Sequence, residues 1–60
     1  MNAIETFTKK LIDNGWSYAE IYEKIVEHAS QVAILRMRRN ITTESEYEAL
    51  QEAVAEELFN

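Results

Sequence analysis

Only two places in this 60-residue chain are built to stop a helix. There is no Pro, and the one Gly stands at position 15. Ala, Glu, Ile and Leu are abundant instead, and all of them favour or tolerate a helical backbone. The chain is therefore expected to be helical wherever it is not made to turn. The turns fall at Gly15-Trp16-Ser17 and at Asn40-Ile41-Thr42-Thr43, which divides the sequence into helices near 3–14, 18–39 and 44–59.

Each boundary carries its own signals. In the first helix Ile4, Phe7 and Leu11 share a face at helical spacing, with Ile12 beside it. Gly15 then takes the left-handed position that ends a helix. Ser17 and Glu20 form a capping box, and Trp16 is placed to pack on Ile21 as a hydrophobic staple. The second helix is the longest. At 100° per residue, Ala19, Ile21, Tyr22, Ile25, Val26, Ala29, Val32, Ala33 and Met37 fall in one broad apolar arc. An arc that wide can serve two neighbours at once, which marks this helix as the central one. Asn40 closes it, with Arg36, Arg38 and Arg39 at the negative end of its dipole. Thr43 and Glu46 form a second capping box. Tyr47, Leu50, Val54 and Leu58 then make a narrow stripe on a third helix whose other faces are mostly Glu. The short link makes helices two and three antiparallel, and the Arg cluster is expected to be neutralised by Glu44, Glu46 and Glu48. The predicted core is Phe7, Leu11, Ile21, Ile25, Val32, Leu50, Val54 and Leu58.

Sixty residues make one small domain with a marginal core, because so short a chain buries only about 60% of its unfolded surface. Small folds compensate with disulfides, metals or partner subunits. The absence of Cys leaves no disulfide or thiolate site, so a partner subunit is the remedy expected. The fold class read from the sequence is thus all-α: a three-helix domain with a long central helix, assembled as a dimeric helical bundle. No apolar run approaches a membrane span and the N-terminus has no charged-then-apolar signal pattern, so a cytoplasmic protein without a membrane partner is expected.

The net charge of −5 argues against strong nonspecific nucleic-acid binding. The charge is unevenly spread. Residues 1–40 hold all six bases against five acids, whereas residues 41–60 hold six Glu and no base. Catalysis has little to work with. His28, the one imidazole, lies at the edge of the apolar arc and reads as a packing residue rather than a base. There is no Gly-rich phosphate loop, and the di-iron bundle motif would need Glu where Ile25 stands. Neither a cofactor nor a metal is expected.

Residues 15–40 resemble the helix-turn-helix of sigma factors and resolvases. Gly15, Ser17, Tyr18, Glu20, Ile21 and Glu23 match its opening, and Val32 and Arg38 match further on. The resemblance implies a DNA-binding regulator using residues 17–39, with Lys24, Arg36, Arg38 and Arg39 as the contacts. The departures lie at the turn: Tyr22 where a small residue is wanted, Val26 where Gly is wanted, and Glu27 where an apolar residue is wanted. KIVEHASQV contains no residue that leaves the right-handed region cheaply, and a continuous helix accounts for more of the stretch.

The main reading is a non-enzymatic interaction or regulatory protein that binds another macromolecule, a protein, as a homodimer. Trp16, Ile34, Leu35, Met37 and Phe59 are the interface candidates, being hard to place inside a lone three-helix monomer. The pairing expected is an antiparallel or symmetric one between central helices. A further alternative uses Glu48, Glu52 and Glu56 as an acidic surface competing for a basic protein surface. In length and style the chain is similar to small accessory reading frames of phages and other mobile elements, a likeness of size and composition.

Overall fold

The computed structural model describes residues 3–59. They form three helices, α1 (Ala3–Asp13), α2 (Tyr18–Arg38) and α3 (Glu44–Phe59). Each bound lies within one residue of its expected place.

The two turns have the same chemistry. At the first, Gly15 has φ 78°. Its N–H donates to the Ile12 carbonyl at 3.0 Å, and the Trp16 N–H donates to the Leu11 carbonyl at 3.1 Å. At the second, Asn40 has φ 55°, and the N–H groups of Asn40 and Ile41 donate to Met37 at 3.3 Å and Arg36 at 3.1 Å. Both are Schellman closures, in which a left-handed residue turns the chain back over the last helical carbonyls. Such a turn also folds the following side chain onto the helix it has just left. Accordingly Trp16 packs against Phe7, Leu11 and Ile21, and Ile41 packs against Val32, Leu50 and Val54.

New helices begin at once. The Ser17 hydroxyl oxygen accepts from the Glu20 N–H at 3.3 Å, while Glu20 Oε1 accepts from the Ser17 N–H at 3.1 Å and from its hydroxyl at 2.8 Å. These bonds favour the charged carboxylate, led by the one from the Ser17 side chain, and they hold the Glu20 carboxyl below its ordinary value. Thr43 serves α3 in the same way, accepting from the Glu46 N–H at 3.2 Å and donating to Glu46 Oε1 at 2.7 Å.

α2 and α3 run antiparallel, with His28 beside Gln51 and Arg36 over Tyr47. α3 packs along both of the other helices, and the α1–α2 contact is the smallest of the three. The core has two parts: Phe7, Leu11 and Ile21 at one end, and Val32, Leu50 and Val54 towards the other. Leu58 packs against both. His28, only 3% exposed, stands between them. Its ring stacks on Phe7 with centroids 5.3 Å apart, and Nε2 lies 2.9 Å from the Gln51 carbonyl. A carbonyl only accepts, so Nε2 carries the proton. Of the expected core, Ile25 and Leu58 are half-buried rather than buried.

One expectation and one alternative are corrected. The Arg cluster is not neutralised by the start of α3: Arg36 lies over the Tyr47 ring, 4.3 Å from its centroid, and the ion pair found among the described residues is Lys24–Glu27 at 3.7 Å within α2. A guanidinium is weakly hydrated and stacks readily on an aromatic face, whereas surface ion pairs gain little. Residues 17–39 do not form a helix-turn-helix either. α2 runs unbroken through Val26–Ser30, because nothing there relieves the backbone from its helical bonds.

Candidate interaction surface

α2 carries two apolar faces, and the fold uses one. Ile21, His28 and Val32 are buried on the core side, with Ile25 half-buried among them. The adjoining face holds Ala19, Tyr22, Val26, Ala29, Ala33 and Met37, all of them exposed. Tyr22 is 70% exposed, Val26 46% and Met37 82%. The alternating spacing of three and four residues from Ala19 to Ala33 is that of a helix–helix seam.

The face is open by its position around α2, turned from the side on which Ile21 and Val32 meet α1 and α3. α1 has 11 residues against the 21 of α2, so at 1.5 Å per residue it is about 15 Å shorter. Its first turn reaches the seam at Ala29 and Ala33. There Ile4, Ala29, Ala33 and Val32 line part of an open groove of about 220 Å³, with His28 also in its wall. The small side chains of Ala29 and Ala33 leave this groove shallowly filled.

The interface candidates divide. Ile34, 47% exposed, and Met37 lie open on α2. Trp16 and Phe59 are half-buried against the Phe7 cluster, and Leu35 against the Val32 cluster. Cations cover both aromatic rings: Lys24 Nζ sits 5.7 Å from the Trp16 ring, and Lys10 Nζ sits 5.9 Å from that of Phe59. Tyr18, Tyr22 and Val26 are exposed residues that the candidate set omits. The width of the apolar arc is the sequence signal that includes Tyr22 and Val26.

The nucleic-acid candidates are not gathered into one surface. Lys24 is engaged with Trp16 and Glu27, and Arg36 with Tyr47. Arg38 and Arg39 are exposed at the end of α2, about 20 Å along the helix from Lys24. Glu48, Glu52 and Glu56 are exposed along α3. Glu52 and Glu56 share the walls of a groove of about 350 Å³ with Thr6 and Lys10 of α1.

Among the described residues no cluster of three or more His, Asp or Glu side chains is arranged to hold a metal ion. No described helix is long and apolar enough to cross a membrane. No protein-family model, curated protein or solved structure matches this chain.

Proposed function

We propose that this protein is a non-enzymatic interaction module that works as a homodimer and regulates another macromolecule, a protein, by binding it. The observation that carries the reading is the open apolar face of α2, which a small domain does not leave in water without use. Its only imidazole is spent on packing, stacked on Phe7 and bonded to the Gln51 carbonyl. Light scattering after size exclusion tests the dimer, with an expected particle of about 14 kDa, twice the chain's 7.0 kDa. A 7.0 kDa particle at every concentration would refute it.

A second reading concerns the bound protein. α3 has no base in its last turn, and Glu48, Glu52 and Glu56 are exposed along it. Such a ridge suits a basic protein surface, for which it would compete. Changing the three to Gln should weaken capture of that partner with helicity unchanged; undiminished capture would discard this reading.

A further inference from the structure

We infer that the groove where the first turn of α1 meets α2 and α3 is a binding site for a small monocarboxylate with a short apolar body. The site lies within one chain and goes beyond the interaction reading. Three observations carry that ligand class.

The first is charge. The chain holds eleven acids and six bases, yet no carboxylate lines this groove, and Arg36 is the one Lys or Arg in its wall. Other grooves are different. Between α1 and α3, Glu52 and Glu56 share the wall with Lys10, and along α1 Glu5 shares it with Lys9. An anion in either would meet carboxylates; here it meets a guanidinium.

The second is the state of Arg36. Its Cζ lies 4.3 Å from the centroid of the Tyr47 ring, and among the described residues it has no ion pair. A guanidinium's donors lie in its plane, so the ring holds the group in place and leaves a fork that matches a carboxylate. A group already held loses less freedom on binding than a free surface arginine. The other end of the groove gives an anion nothing. There the His28 Nε2 proton is taken by the Gln51 carbonyl at 2.9 Å. The head of the ligand is thus set at Arg36, and its body runs towards Ile4 and His28.

The third is lining and size. Ile4, Ala29, Val32 and Ala33 make the walls apolar, and the two alanines leave about 220 Å³. At about 30 Å³ for each water-sized group, that is room for no fewer than about seven non-hydrogen atoms, the size of valerate. An apolar slot with a polar anchor at one end is the usual make-up of a small-ligand site.

Valerate, valeramide and acetate, titrated separately and followed by NMR at the Ala29 and Ala33 methyls, test the site. Because those alanines also belong to the open α2 face, Val26→Asp is titrated beside the parent chain. Valerate should give saturating shifts confined to the groove, with a millimolar Kd. Valeramide keeps the body without the charge, and acetate keeps the charge without the body. Each should bind at least about tenfold more weakly. Arg36→Gln should weaken valerate about tenfold, and Ala33→Leu, which fills the groove, should abolish its shift at Ala29 with helicity unchanged. Arg39→Gln, which removes an exposed base just past α2 and outside the groove, should change nothing. No saturating shift with valerate in either chain, valeramide as tight as valerate, or an equal loss in Arg39→Gln and Arg36→Gln would overturn the site. None of these outcomes bears on the homodimer, which is read from particle mass.

Discussion

The two apolar faces of α2 lie side by side and are opposite in fate. One presents Ile21, Ile25, His28 and Val32 to α1 and α3; the other presents Tyr22, Val26, Ala29, Ala33 and Met37 to solvent. The difference lies in what surrounds them. Burial on the first face is secured by partners on both other helices, including the polar tip of His28 through the Gln51 carbonyl. The second face is turned away from the side on which Ile21 and Val32 meet α1 and α3. Apolarity alone does not say whether a surface is core or interface; where the neighbouring helices sit around it decides.

A charge placed on each face separates them most sharply. Val32 is 5% exposed and packs with Leu50 and Val54 in the core. Val32→Asp should cost several kcal/mol, as much as the whole stability of so small a domain, and abolish cooperative melting. Val26→Asp, on the open face, should leave helicity intact and dissociate the dimer. If both variants melted alike, the two faces would not differ as described. His28→Ala should cost about 2–3 kcal/mol in chemical denaturation, since it removes a ring stacked on Phe7 and a hydrogen bond together. A loss under 0.5 kcal/mol would mean that His28 does not join the two halves of the core.

Smaller effects sharpen the boundaries of the faces. Gly15→Ala should cost about 1–2 kcal/mol through the left-handed backbone alone, because a Cβ there would meet nothing within 4 Å. Ser17→Ala should cost about 1 kcal/mol by removing the cap of α2. The smallest effect is that of pH on Glu20. Its folded carboxyl sits below the unfolded value, so its contribution is present above the unfolded value and is lost as pH falls through the folded one. Melting temperatures of the parent and Glu20→Gln should therefore converge on acidification through the carboxylate range. A gap that widened instead would reverse the assigned direction.

These contrasts also explain what could be read from residues alone. The three helices were legible because Gly15, Ser17, Glu20, Asn40 and Thr43 act through local bonds. The heart of the core was legible from Phe7, Leu11, Val32 and Val54, whose spacing is regular. Trp16 carries two readings, a staple on Ile21 and an interface residue, and the Schellman turn folds it into the cluster that includes Leu11 and Ile21. Arg36 met an aromatic ring from another helix, a contact set by tertiary placement that charge counting misses. The open face was visible in part, since the arc of α2 was too wide for one neighbour. Which half of the arc stays open depends on packing angles that periodicity does not encode.

Sedimentation equilibrium of the parent chain and Val26→Asp, with helicity checked by circular dichroism, tests the central claim most directly. A parent near 14 kDa and an equally helical variant at the 7.0 kDa of one chain are the results expected. A parent that stays at 7.0 kDa, or a variant that remains dimeric, would contradict the assignment of the open α2 face to self-association.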